Sequence, residues 1–349
     1  MSINPIGLCG IEFVEFASQD PEALHRLFLE FGFSRVMRHR DRDVDLYRQG
    51  DIHFLLNRAP RSFAASFEKA HGPCIASMGW RVEKPLWAEH EAVARGAERG
   101  AGDYTLHGEP LPCVVGIGGS LIYLTPRWGQ ELYVSMGFVA LPESLAVRVP
   151  EKGFLAIDHL TNNVEKGTME RWARFYKDVF GFTEVRYFDI RGAKTGLTSY
   201  ALKSPCGTFC IPINEGSEAK SQINEYLEEY KGPGIQHLAF LTKDILASLR
   251  ALEGSKSIGF LDMDDAYYNE LWPRFAQVSE DHGEIEKRNV LVDGDEKGYL
   301  LQIFTKNLIG PIFIELIQRK NHDAFGEGNF GALFRSIERD QVKRGYLEA

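Results

Sequence analysis

The sequence predicts an α+β protein of two homologous domains, each a pair of βαβββ units whose strands form a curved, barrel-like mixed sheet. Three observations predict it: a length of 349 residues, an internal repeat with its parts in a fixed order, and a strand, helix, strands rhythm inside each copy. Domains commonly hold roughly 100 to 200 residues, so this length suits two of them. Hydrophobic residues are 44 % and charged residues 26 % of the chain. These shares sit near globular averages, so each half can bury a core.

The first repeat match opens at Gly10 with GIEFVEFASQDPEALHRLFLEFGFSRV. It reads as an apolar strand, a helix opened by Asp20 with Pro21 at its first position, and a glycine stop at Gly32-Phe33. AIDHLTNNVEKGTMERWARFYKDVFGFTEV repeats that order from Ala156, with Trp172, Phe175, Tyr176 and Val179 near helical spacing and Gly181-Phe182 at the stop. A second match pairs DIHFLLN, ending at Asn57, with TFCIPIN, ending at Asn214. A third pairs GPCIASMGWRV from Gly72 with GPGIQHLAFLT from Gly232, each followed by a helical stretch. The fourth pairs GGSLIYLTPRW with IGPIFIELIQRK, both apolar strands. Between the copies, Pro142, Pro150 and Gly153 punctuate a loosely patterned segment, which places the boundary near Pro150 and gives domains 1–150 and 151–349.

The composition excludes several roles. Lys plus Arg is 40 against 49 for Asp plus Glu, a net charge of −9 with no long basic stretch, so nucleic acid is not an expected partner. The five cysteines, Cys9, Cys74, Cys113, Cys206 and Cys210, show no CxxC spacing. They fit a reducing cytoplasm better than a disulfide framework or a thiolate zinc site. Pro110 to Pro126 is uncharged but broken by proline and glycine, unlike a membrane helix of about 20 residues. The N-terminal residues lack the basic and apolar regions of a signal peptide.

Polar residues present in only one copy of a duplicated fold point to function. Phe13 stands in the place of His159, Ser77 in the place of His237, and Leu124 opposite Glu315, to within one residue of alignment. The second copy thus carries two imidazoles and a carboxylate on three separate strands, at equal intervals along the chain. Such a facial triad leaves about three positions of an octahedral iron(II) open for substrate and dioxygen. A structural zinc site is normally closed. Glu315 interrupts the apolar run PIFIELI, and an unpaired carboxylate there costs several kcal/mol, so a cation should sit beside it. Either a metal or Arg319 can supply that charge. His25, His39 and His322 read as solvated surface residues.

The strings IDHLTNNV, GPGIQHLAF, LLQIFTKNLIGPIFIELIQRK and FGEGNFGALFRSIERDQVKRG resemble 4-hydroxyphenylpyruvate dioxygenase of the bacterial type, within the vicinal-oxygen-chelate superfamily. The resemblance covers essentially the whole chain and is densest after residue 153. It implies that His159, His237 and Glu315 bind Fe(II). It implies oxidation of 4-hydroxyphenylpyruvate by O2 to homogentisate and CO2, a step of tyrosine catabolism in which the substrate's own 2-oxo acid replaces 2-oxoglutarate. The substrate pocket it implies comprises Ser199, Pro212, Asn214, Gln222, Gln236 and Gln302, with Phe304, Phe313 and Phe325 as an aromatic wall. The C-terminal helix would be a gate, with Asn329 at the entrance, Phe330 inward, and Leu333, Phe334 and Ile337 on the same face. A homotetramer is implied, with the ligand-free first copy as scaffold.

Two places depart from the family pattern: Asp264 and Asp265 where proline is expected, and Thr161-Asn162-Asn163 shortly after the first ligand. Two rival readings remain. One is 4-hydroxymandelate synthase, which hydroxylates the benzylic carbon of the same substrate; the other is a non-catalytic small-molecule-binding protein of the same fold.

Overall fold

In the computed structural model, which describes residues 3–191, 195–263 and 265–348, the chain builds two eight-stranded mixed sheets. The first half contains β1 (Leu8–Ala17), β2 (Ser34–His39), β3 (Val44–Gln49), β4 (Ile52–Asn57), β5 (Cys74–Val82), a small hairpin of β6 (Thr105–Leu106) and β7 (Glu109–Pro110), β8 (Cys113–Val115), β9 (Leu121–Pro126) and β10 (Phe138–Ala140). Its helices are α1 (Pro21–Glu30), α2 (Phe63–His71), α3 (Pro85–Ala94) and α4 (Gln130–Ser135). The second half contains β11 (Phe154–Val164), β12 (Thr183–Arg191), β13 (Gly196–Lys203), β14 (Cys210–Gly216), β15 (Gly234–Thr242), β16 (Leu291–Asp295), β17 (Gly298–Phe304) and β18 (Phe313–Lys320). Its helices are α5 (Met169–Phe180), α6 (Gln222–Tyr230), α7 (Ile245–Leu252), α8 (Asp265–Leu271), α9 (His282–Lys287) and α10 (Phe330–Lys343). Asp264 lies outside the described residues.

Local sequence explains where these elements start and stop. Asp20 caps α1 by accepting the Ala23 amide, and Pro21 occupies the first turn, where no amide is needed. Gly32 and Gly181 end α1 and α5 at φ of 85° and 77°, a left-handed conformation that glycine adopts without penalty. On α5 the buried stripe is Met169, Ala173, Tyr176, Val179 and Phe180, with Trp172 and Phe175 flanking it half-buried.

The strand orders are β10-β2-β3-β4-β1-β5-β9-β8 and β12-β13-β14-β11-β15-β18-β17-β16. Seven strands correspond in order. The eighth differs: β16 extends its sheet beside β17, whereas β10 crosses to pair with β2 at the opposite edge. Each centre joins parallel and antiparallel neighbours, with β1 parallel to β4 and antiparallel to β5, and β5 parallel to β9.

The ladder registers refine the repeat. Phe13 pairs with Gly79, which pairs with Tyr123; His159 pairs with Ala239, which pairs with Glu315. Tyr123 is therefore the counterpart of Glu315, one residue from the expected Leu124. A period of two per strand makes that single step decisive, because Leu124 faces the other side of the sheet.

Phe13 and Tyr123 fill the interior of the first sheet with Tyr104, whose ring centroid lies 6.0 Å from that of Phe13. Beside them Glu15 is buried and accepts from Tyr104 Oη at 2.6 Å, Asn57 Nδ2 at 2.8 Å and Ser77 Oγ at 2.5 Å. Burial pushes the Glu15 carboxyl up, and these three hydrogen bonds oppose the shift. Ser77, the counterpart of His237, thus serves a hydrogen-bonded plug.

The halves share one apolar core. Phe240 meets Phe31 at 5.9 Å, Phe33 at 5.7 Å and Phe54 at 6.0 Å, and Trp80 packs on Phe180 at 4.9 Å. Of the histidines expected at the surface, His39 is buried against Phe138 and His25 Nδ1 lies 2.7 Å from Tyr47 Oη. His322 is mostly covered, 3.7 Å from Asp295. Their neighbours in sequence are charged, but Phe138 covers His39 and Tyr47 covers His25.

Packing at the plug gives a test. A Cβ on Gly79 would lie 2.5 Å from the Phe13 ring, which is held by Tyr104 and Tyr123 and has nowhere to move. Gly79→Ala is expected to lose about 1–3 kcal/mol of stability by overpacking, measured by urea unfolding. An unchanged unfolding midpoint would show that the ring is free to shift.

Candidate metal centre and its cavity

Ladder geometry brings the three candidate ligands together. His159 and Glu315 flank Ala239 in one row across β11, β15 and β18, and His237 stands two residues before Ala239 on the same face. The small alanine leaves room for the longer side chains to converge above it. His159 Nε2 is 3.1 Å from Glu315 Oε2, His237 Nε2 is 3.4 Å from that oxygen, and the two Nε2 atoms are 3.3 Å apart. All three ligand atoms fit within 4.8 Å of one another. Ligands at roughly 2.0–2.2 Å from one ion, at right angles, sit about 3 Å apart, so the donor set suits a shared cation.

The other ring nitrogens are held from behind. His159 Nδ1 is 2.8 Å from Asp158 Oδ1, and His237 Nδ1 is 3.3 Å from Gln236 Oε1. An acceptor at each Nδ1 keeps the hydrogen there and turns the Nε2 lone pair toward the shared point. Burial alone would lower the His159 pKa, but the Glu315 charge and the bond to Asp158 carry it to about 9. His237 is lowered, chiefly by burial. Burial would raise Glu315, yet the charge and hydrogen bond of His159 hold it below the usual carboxylate value.

Arg319 is not the counter-ion of Glu315. Its Nε and Nη2 donate to Asp158 at 2.7 and 2.8 Å, and Nη1 donates to the carbonyls of His322 and Ala324 at 3.1 and 2.5 Å. Burial would raise the Asp158 pKa, but the bonds from Arg319 and His159 hold it well below the usual range. One guanidinium therefore orients a candidate ligand through Asp158 and fixes the turn that delivers Phe325. Sequence reading passed over Asp158 because its partner lies 161 residues away.

A cavity opens beside the triad. Ser199, Pro212, Asn214, Gln222, Gln236, Gln302, Phe304, Phe313, Phe325, Phe330, Leu333 and Phe334 all line it. Phe313 stacks on His237 at 4.6 Å, and Phe325 meets the edge of His159 at 5.7 Å. Helix α10 turns Phe330, Leu333, Phe334 and Ile337 toward this space.

Asn329 does not stand at an entrance. It is buried beneath the start of α10, where its Nδ2 donates to Gln302 Oε1 at 3.1 Å and its Oδ1 accepts from Tyr267 Oη at 2.7 Å. Gln302 Nε2 in turn approaches Glu315 Oε1 at 3.5 Å. The cavity also includes Thr161, Phe188, Ile190 and Leu197, which the sequence reading missed. Strand alternation offered a signal for Thr161, two residues from His159. Phe188 and Ile190 lie on an edge strand that faces the cavity only because α10 folds over it, with Phe188 5.3 Å from Phe330.

Duplicated βαβββ units curled around two histidines and a glutamate define a protein of the vicinal-oxygen-chelate class. Residues 3–139 match the family described as hydroxyphenylpyruvate dioxygenase, HPPD, N-terminal, and residues 156–259 match the glyoxalase/bleomycin resistance protein/dioxygenase superfamily. The chain is 45 % identical over 357 residues to 4-hydroxyphenylpyruvate dioxygenase of Pseudomonas sp. (strain P.J. 874), covering 99 % of this chain and 98 % of that one. It is 57 % identical to Protein MelA of Shewanella colwelliana, covering 99 % of each. Among solved structures, a variant of 4-hydroxymandelate synthase from Streptomyces coelicolor superposes with a TM-score of 0.82 at 26 % identity, over 96 % of this chain and 99 % of that one. The chain belongs to the 4-hydroxyphenylpyruvate dioxygenase family, and is an enzyme of the dioxygenase type.

Two substitutions probe the centre. Glu315→Gln keeps the shape of the side chain and removes its charge, and is expected to fold normally while binding Fe(II) much more weakly, read by anaerobic equilibrium dialysis. Asp158→Asn is expected to lower metal affinity by about 10- to 100-fold. Wild-type affinity in Asp158→Asn would show that the Nδ1 contact does not orient the ring.

Proposed function

We propose that the chain is an iron(II)-dependent dioxygenase that converts 4-hydroxyphenylpyruvate and O2 to homogentisate and CO2, with His159, His237 and Glu315 as the metal ligands. The observation that carries this reading is the convergence of those three side chains on the wall of a cavity lined by aromatic rings and amides. Bound iron would supply chelation of the 2-oxo acid and activation of dioxygen. No 2-oxoglutarate is needed.

The chain's own residues bind and shelter the substrate. Phe304, Phe313 and Phe325 offer ring faces and edges to an aromatic substrate, each contact contributing about 0.5–1.5 kcal/mol. Ser199, Asn214 and Gln222 offer partners for a phenol. Asn214 donates Nδ2 to Asn163 Oδ1 at 3.3 Å, which leaves its carbonyl oxygen for a hydroxyl hydrogen. Gln236 orients His237, and Gln302 ties Glu315 to Asn329 at the start of α10. Helix α10, with Phe330, Leu333 and Phe334, excludes water from the reacting groups. In this reading residues 1–150 form a ligand-free scaffold domain and residues 151–349 the catalytic one. The enzyme is a cytoplasmic homotetramer, and no helix among the described residues is long and apolar enough to cross a membrane.

Likeness to 4-hydroxymandelate synthase supports a second reading, in which the same substrate is hydroxylated at the benzylic carbon. Chromatography of the product from 4-hydroxyphenylpyruvate, Fe(II) and O2 separates the two. Homogentisate is expected; hydroxymandelate as the main product would sink the first reading, and no oxygen uptake would favour a binding protein. Phe330→Ala is expected to lower the homogentisate formed per O2 consumed, because water gains access to the cavity.

A further inference from the structure

The two halves close the same end of their sheets differently. The ladder registers make Glu12 the counterpart of Asp158, each directly before the paired Phe13 and His159. Continued one residue past the end of β9, the β9 register makes Arg127 the counterpart of Arg319. In the second half Arg319 grips Asp158 with two hydrogen bonds and ties down the following turn. In the first half the equivalent pair is split. Arg127 is exposed and has no carboxylate partner among the described residues, and a cleft of about 490 Å³ stands there, lined by both Arg127 and Glu12.

Four arginines and two carboxylates, Glu12 and Asp51, line this cleft. Arg48, Arg127 and Arg148 are exposed along it, against a chain whose net charge is −9. Arg81 is the fourth arginine, but its charge is already committed to Asp51 and Glu12. Leu46 and Leu141 provide an apolar wall. Glu12 is 2 % exposed and is held within the protein by Arg81 and against Tyr133, so it does not neutralise Arg127.

We propose that this cleft is a second ligand site, separate from the metal centre, for a small carboxylate with an apolar body. Arg127 and Arg148 hold the carboxylate, and Leu46 and Leu141 pack against the apolar body. Planar guanidinium groups suit carboxylates, and loss of one charge-assisted hydrogen bond changes affinity by about tenfold.

The test is calorimetric titration of the full-length protein with 4-hydroxyphenylacetate, and with 4-hydroxyphenylacetamide, which lacks the carboxylate. The proposal expects 4-hydroxyphenylacetate to bind at least about tenfold more weakly to Arg127→Ala and to Arg148→Ala. It also expects unchanged binding to Glu315→Gln, weaker binding of 4-hydroxyphenylacetamide to the native protein, and turnover of 4-hydroxyphenylpyruvate within about twofold of native in both arginine variants. Equal affinity in the arginine variants overturns it. So does loss of binding in Glu315→Gln, which places the probe at the metal centre, or a fall in sedimentation mass on Arg127→Ala, which makes the cleft a seam between copies of the chain.

Discussion

The register of three neighbouring strands is the constraint on which the rest depends. Ala239 stands between His159 and Glu315 in a single row, and His237 follows on the same face two residues away. A slip of one residue in either ladder would turn a ligand to the opposite side of the sheet. The register is held by the apolar residues that alternate with the ligands, such as Leu238, Phe240, Ile314 and Leu316, all buried on the other face. Packing of the shared core, through Phe240 and its ring neighbours in the first half, is therefore also what aligns the polar groups.

Duplication gave the two interiors opposite fates. Where one sheet curls around the triad and an aromatic cavity, the other encloses Phe13, Tyr104 and Tyr123 around Glu15. Both solutions obey the same rule: a buried carboxylate must be matched. Glu15 is matched by three neutral donors. Glu315 faces two imidazoles, whose lone pairs can turn to a cation that compensates it more strongly than neutral groups do.

The links around the triad connect it to distant parts of the chain. Arg319 joins Asp158, and so His159, to the turn before Phe325, while Gln302 joins Glu315 to Asn329 and the start of α10. Gly326 completes this junction, since a Cβ there would lie 1.7 Å from Gln302 Oε1. The position of the covering helix and the orientation of the ligands are thus set by the same side chains.

The repeat, the unit rhythm and the candidate ligand trio were legible in the sequence, because strand and helix periodicities are local and the two copies could be compared residue by residue. The glycine stops at Gly32 and Gly181 and the cap at Asp20 were legible for the same reason. Other features were not. The true counterpart of Glu315, the burial of His39 and the use of Arg319 on Asp158 arise from contacts between strands distant in the chain, which one-dimensional patterns do not encode. Asn329 was expected at an entrance but lies buried, because its amide finds Gln302 on a strand underneath. By itself the sequence singled out His159, His237 and Glu315 as candidate ligands. Only the tertiary structure decided what each one faces, because strand register and long-range hydrogen bonds set direction, and direction separates a ligand from a plug.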